Sequence, residues 1–191
     1  MIKSAEEIQR MSVAGALTAK VLEALDEVVR PGISTAEIDR FCERYIVDTL
    51  AAIPGSKGQY GYPFTVNTSV NEVVCHGWPS AQQILRDGDI VNVDVTVIKD
   101  GYFGDSSKMY RVGAIDRQAQ KLLDVTRNAC TGRSAWCART PPSAISGMPS
   151  RVTPKPTVIR WSANTAGMAS AARCTRRRRS CTSVALARVR G

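Results

Sequence analysis

Asp94 and Asp105 stand in two alternating apolar and polar runs on either side of Asp100-Gly101. Glycine supplies the positive φ that a two-residue hairpin turn requires, so the runs read as two strands joined tightly. With Lys99 facing Tyr102, Thr96 falls opposite Asp105 and Asp94 opposite Ser107. The two aspartates then share one face as diagonal neighbours, roughly 7–8 Å apart at their α-carbons and closer at their carboxylates. Val91, Val93, Val95 and Val97 alternate onto the other face, which is the core side. Such a pair has three fates: a solvated outer face, where aspartates cost nothing; an acid/base dyad sharing one proton; or a divalent-metal site, whose hard carboxylate oxygens straddle two ions about 3.5–4 Å apart. Strand positions disfavour aspartate, and two pointing the same way favour the metal reading.

His76 is the one histidine of the chain and excludes any mechanism that needs two imidazoles from it. It ends Asn71-Glu72-Val73-Val74-Cys75-His76-Gly77, where the glycine lets a ligand approach the backbone. A lone histidine is commonly a satisfied structural residue. Beside the aspartates it gains a role as a hydrogen-bond donor to a substrate carbonyl or a tetrahedral intermediate.

The elements that must position these residues are marked by local patterns. Ser4-Ala5-Glu6-Glu7 has capping-box form, and Ile8, Met11, Leu17, Val21, Leu22 and Leu25 follow at helical spacing until Pro31-Gly32. A second box, Ser34-Thr35-Ala36-Glu37, opens a helix to about Leu50 with Ile38, Phe41, Tyr45 and Ile46 on one face. Residues 53–63, rich in Gly, Pro and polar side chains, read as a loop. The period then changes to alternation, which predicts strands over 64–70, 72–76, 90–98 and 102–112, before a last helix near Asp116 with Leu122, Leu123 and Val125. The order α, α, β, β, β, β, α argues for an α+β domain with an antiparallel sheet and covering helices.

A chain of 191 residues and 20.7 kDa can bury one good core, which excludes collagen-like, mini-disulfide and coiled-coil readings. The net charge of +9 divides unevenly. Residues 1–128 hold 14 Lys and Arg against 17 Asp and Glu, while residues 129–191 hold 12 Lys and Arg and no acid. The first segment is therefore −3 and the second +12. No apolar run is long enough to span a bilayer, and the acidic start lacks a signal-peptide core, so the expectation is a cytoplasmic protein. Four of the six cysteines, Cys130, Cys137, Cys174 and Cys181, lie in the basic third and none forms C-x-x-C, so neither a zinc knuckle nor a disulfide framework is indicated.

Three segments, 71–77, 87–96 and 100–107, resemble in order and spacing the N-terminal half of type I methionine aminopeptidases. The helix pair and Gly61-Tyr62-Pro63 fit as well, so the resemblance covers residues 2–128, whereas the loop Ser56-Lys57-Gly58-Gln59 departs from the family's pattern. The resemblance implies the pita-bread fold, two α+β halves about a pseudo-twofold axis. It also implies removal of the initiator methionine from nascent polypeptides, possibly at the ribosome, by a monomer holding two divalent metal ions (Co, Mn, Fe or Zn). By the same resemblance Asp94 and Asp105 are metal ligands, His76 is the catalytic, substrate-contacting histidine, and Cys75 and Tyr62 line the methionine pocket. The family needs a histidine and two glutamates from its second half, and a further histidine near the scissile bond. This chain has no His, Glu or Asp after residue 128 and stops before either glutamate. The expected product is therefore incomplete and inactive. Aminopeptidase P and prolidase share the ligand pattern and form a second reading, although they usually carry an additional N-terminal domain.

Residues 129–191 keep no helical or strand period, and the expectation there is irregular or disordered chain. Arg176-Arg177-Arg178-Arg179 would make the core of a basic nucleic-acid-binding tail, the alternative function of a non-catalytic half domain. A shift of reading frame is the competing account. Residues 167–184, read from the third base of the Gly167 codon with synonymous bases left free, yield HGIGREMHEAPQVLHFG. That string resembles the histidine-bearing segment of the same family. Residues 143–151 similarly yield LGDIGHAIQ, and 152–167 yield GHAEANGYSVVREYCG. The first two bases of nearly every codon are fixed, so free third bases do not account for so long a family-like run. A single-base deletion near the Ala129 codon, in the gene or in its sequencing, is predicted.

Overall fold

A computed structural model describes residues 2–139, with side chains through residue 131. Residues up to Ile115 form one compact unit, and a second begins at Asp116. The first helix, α1, spans Ala5–Ala24. Its start is fixed as the sequence predicts: Ser4 Oγ accepts the Glu7 N–H at 3.2 Å while Glu7 Oε2 accepts the Ser4 N–H at 2.7 Å. The same reciprocal box at Ser34 and Glu37 starts α2, Thr35–Arg44. Beyond Arg44 the helix widens, with the Leu50 N–H reaching back to the Tyr45 carbonyl, over Tyr45–Thr49.

Four strands follow: β1 (Ile53–Pro54), β2 (Val66–Val70), β3 (Ile90–Lys99) and β4 (Tyr102–Arg111). All pair antiparallel on β3, which carries β4 along its whole length on one edge and β2 and β1 in succession on the other. The predicted register holds, with Lys99 facing Tyr102, Thr96 facing Asp105 and Asp94 facing Ser107. Asp100 and Gly101 both take positive φ, 50° and 78°, as a tight turn between twisted strands demands.

Val91, Val93, Val95 and Val97 are fully buried and join Val21, Leu25, Ile38, Cys42 and Ile46 in one core. The sheet is fastened to α1 by the Tyr110 hydroxyl, which donates to the Leu22 carbonyl at 2.6 Å, and to the turn after it by Lys108, whose Nζ lies 2.6 Å from Asp26. Burial, helped by the charge of Asp26 at the Tyr110 phenol and of Asp39 at the Cys42 thiol, raises the pKa of both groups, so both remain neutral.

Three expectations are corrected. Residues 72–76 are not a strand: Asn71 and His76 sit at positive φ, 52° and 55°, and the chain doubles back so that the Gly77 carbonyl accepts the Thr68 N–H at 2.8 Å. The stretch 53–63 is not wholly loop, because Ile53 and Pro54 pair with Ile98 and Val97. The last helix, α3, spans Arg117–Arg139 and so runs past residue 128, where irregular chain was expected. A backbone helix needs no apolar period to continue, and Asp116 starts it by accepting the Gln118 and Ala119 N–H groups at 2.7 and 2.8 Å. The tetra-arginine run and the segments that yield family-like strings in the shifted frame lie outside the described residues.

Candidate metal centre

β3 alternates its side chains, so the valines that hold it in the core aim Asp94 and Thr96 at the opposite face. β4 adds Asp105 and Ser107 to that face, and β2 adds Asn67, directly opposite Asp94. The Thr96 hydroxyl donates to Asp105 Oδ1 at 3.2 Å, and the Asn92 amide donates to the Ser107 hydroxyl at 3.4 Å. Both aspartates are half-buried. Burial, then the Asp105 charge, pushes the Asp94 carboxyl up to about 6, against the opposing pull of His76. Burial also raises Asp105, partly offset by the Thr96 hydroxyl and by the hydrogen bond with Asp94. The two carboxyls thus lie close enough for each to act on the other's ionisation.

His76 and Tyr62 reach the same place from opposite directions along the chain. His76 sits on the loop that β2 leaves at Asn71, and its charge acts on Asp94. The loop is fixed at Gly77, whose N–H donates to Ser69 Oγ at 3.2 Å. Any side chain at Gly77 would collide with the Thr68 carbonyl oxygen, so the close approach that positions His76 is open to glycine alone. The far end of the loop is tied to α2: Thr35 Oγ1 donates to the Ser80 carbonyl at 3.1 Å and accepts the Ser80 N–H at 2.9 Å.

Tyr62 donates its hydroxyl to the Val66 carbonyl at 2.8 Å. Its ring meets Phe64 and Trp78 edge-on, each with centroids 5.7 Å away, and Phe64 and Trp78 meet at 5.8 Å. Burial, with the charges of Asp39 and Asp94, pushes the Tyr62 phenol up to about 12, which also places it within electrostatic reach of the aspartate pair. Trp78 remains 63% exposed, leaving an aromatic wall open on one side.

The structure therefore brings Asp94 and Asp105 together and leaves His76 and Tyr62 near enough to interact electrostatically with Asp94. Cys75 is exposed on the His76 loop as a free thiol, and no described contact joins it to the pair. Sequence reasoning missed Asn67, Phe64 and Trp78. Asn67 was findable only through the β2–β3 register, and Trp78 only by knowing that the loop returns to Tyr62.

The donor chemistry fits a divalent cation: two hard carboxylates converge, half-buried, with too little positive charge around them. It fits in part, since no group of three or more His, Cys, Asp or Glu able to hold a metal occurs among the described residues. No helix among the described residues is long and apolar enough to cross a membrane.

Known proteins place this hairpin in context. The chain is 50% identical to the methionine aminopeptidase of Escherichia coli K12 over 128 residues, which is 67% of this chain and 48% of that one. A crystal structure of methionine aminopeptidase from Rickettsia prowazekii superposes with a TM-score of 0.66 at 38% identity, covering 69% of this chain and 52% of its own. The enzyme of the same name from Thermotoga maritima gives 0.66 at 34% identity, covering 70% and 53%. The chain thus spans about half the length of the relatives it matches, and the half it spans has the pita-bread α+β fold. The model of metallopeptidase family M24 matches residues 9–144, and with the aspartates of β3 and β4 inside that match, this chain belongs to the M24 metallopeptidases.

Proposed function

We propose that residues 1–128 are the N-terminal half of a methionine aminopeptidase, a hydrolase that removes the initiator methionine from nascent polypeptides in the cytoplasm. The observation that carries this reading is the Asp94–Asp105 pair, with His76 near enough to act on Asp94, in a stretch of 128 residues that is 50% identical to a methionine aminopeptidase. Asp94 and Asp105 would hold two divalent ions, of which Co, Mn, Fe and Zn are the candidates by chemistry. When bound, the metal supplies Lewis-acid activation of water and of the scissile carbonyl. His76 donates a hydrogen bond to the substrate carbonyl oxygen as charge develops there. Tyr62, with Phe64 and Trp78, offers an apolar wall to the methionine side chain, and Cys75 stands on the adjoining loop. The intact enzyme would act as a monomer on chains emerging from the ribosome.

Residues 129–191 contribute no His, Asp or Glu, so they add no carboxylate or imidazole to the site. We attribute this to a single-base deletion near the Ala129 codon, and the chain as written is inactive. Incubation of the 191-residue protein with Met-Ala dipeptide and Mn2+ or Co2+ should release no methionine. Insertion of one base at the Ala129 codon, with the restored frame read to its own stop, should yield an active enzyme. Robust release by the 191-residue chain, or an inactive frame-restored product, overturns the proposal. The +12 charge of residues 129–191 favours a second reading, a nucleic-acid-binding tail on a non-catalytic half domain. Its affinity for RNA or DNA would fall steeply with salt and vanish on removing the tail.

A further inference from the structure

Asp39 belongs to α2 and is 7% exposed, and the charged side chains that act on it are Glu43 and Lys57. One of its oxygens, Oδ1, accepts two consecutive backbone N–H groups, that of Thr65 at 2.8 Å and that of Val66 at 3.0 Å. These are the residues through which the chain enters β2. The carbonyl of the same Val66 receives the Tyr62 hydroxyl at 2.8 Å. A buried carboxylate is costly to place, and two charge-assisted bonds from adjacent amides are what makes it tolerable. Their direct effect is on the backbone that leads out of the aromatic loop. Upstream, that loop carries local bonds, among them those from the Gly58 N–H to the Tyr62 carbonyl at 2.7 Å and from the Gln59 amide to the Gly55 carbonyl at 2.6 Å, and the Gly55 N–H donates to the Thr96 carbonyl of β3 at 2.7 Å. The loop's one other tie to α2 among the described residues is the half-exposed ion pair of Lys57 with Glu43, which grips a side chain, whereas Asp39 grips the backbone.

We infer that Asp39 is the positioning residue of the aromatic wall: its carboxylate clamps Thr65 and Val66 and thereby sets where Tyr62 and its partners stand relative to Asp94 and Asp105. This inference rests on the reading of the aspartate pair as a metal site. A bland alternative is a helix-to-sheet staple that stabilises the unit as a whole. The two differ in what a loss of Asp39 disturbs. A positioning residue acts on Tyr62, Phe64 and Trp78 and leaves the β3–β4 hairpin, which is built by its own ladder, unchanged.

The test uses the 191-residue chain with Mn2+ as a paramagnetic probe, followed by nuclear magnetic resonance and amide exchange. In the unmodified chain Mn2+ should broaden the amides of Thr96 and Ser107 and the ring of Tyr62. In Asp39→Ala the Thr65 and Val66 amides should exchange about tenfold faster, as expected for a lost charge-assisted bond. The Tyr62 ring should escape broadening and lose its proximity signal to Trp78, while Thr96 and Ser107 stay broadened. Asp39→Asn keeps the accepting oxygen and should restore both the exchange rates and the Tyr62 broadening. An unchanged Tyr62 in Asp39→Ala, a uniform loss of protection that includes β3 and β4, or failure of Asp39→Asn to rescue overturns the inference. Absence of broadening at Thr96 and Ser107 in the unmodified chain refutes the metal reading instead, and the exchange rates then still decide whether the clamp exists.

Discussion

Thr96 and Asp105 oppose each other on the β3–β4 ladder, and the threonine hydroxyl donates to Asp105 Oδ1 at 3.2 Å. The bond orients one carboxylate of the pair. Thr96→Val keeps the shape of the side chain and removes the donor, a loss of about 1 kcal/mol in orientation. Mn2+ affinity of the frame-restored enzyme should fall about fivefold, read by calorimetry, with the fold unchanged by circular dichroism. Unaltered affinity would show that Asp105 is held by other means.

Gly77→Ala forces a methyl group onto the Thr68 carbonyl oxygen. The loop must lift, breaking the bond between the Thr68 N–H and the Gly77 carbonyl. The expected cost is roughly 1–3 kcal/mol in urea denaturation, with His76 displaced from Asp94. A variant as stable as the parent would mean that the loop relaxes without strain.

Stability should carry a pH dependence from Asp39. Burial raises its carboxyl above the ordinary aspartate value of 3.8, outweighing the two amide bonds that lower it. A carboxyl whose folded pKa is raised favours folding while it is protonated. That contribution is full below the unfolded value and is lost as pH rises through the folded one. Asp39→Asn keeps the acceptor without the charge, so its stability relative to the parent should increase between pH 4 and pH 8. Parallel denaturation curves for the two proteins across that range would contradict the assignment.

Tyr110→Phe deletes the hydroxyl that holds β4 to the Leu22 carbonyl of α1. The cavity is small and the partner carbonyl loses one bond, so the change should cost about 1 kcal/mol in a urea titration. No change in the midpoint would show that the valine core alone fixes α1 on the sheet.

The hairpin was legible in the sequence because Asp100-Gly101 admits one tight turn, and that turn fixes every rung from Lys99–Tyr102 to Asp94–Ser107. The capping boxes were legible for a similar reason, since each bond in them spans three residues. Residues 72–76 misled because apolar alternation does not reveal whether a neighbouring edge is free. β2 already occupies β3 from Val91 to Val95. That leaves Val97 and Ile98 for a short partner, and Ile53 and Pro54 fill it, a strand too brief to leave a period. The aromatic wall was invisible for want of local spacing: Tyr62 and Trp78 meet only because the chain turns back at Asn71.

The paired bonds between Thr35 and Ser80 give the start of α2 a second duty. Ser34 and Thr35 are buried, and the segment from Ser80 to Leu85 hydrogen-bonds to residues 32–36. The chain just after His76 is therefore pinned twice, to β2 at Gly77 and to the start of α2 at Ser80. Loosening that cap would be felt at the histidine as a slackened tether, so a change at Ser34, remote from the aspartates in sequence, would act on the site without touching it.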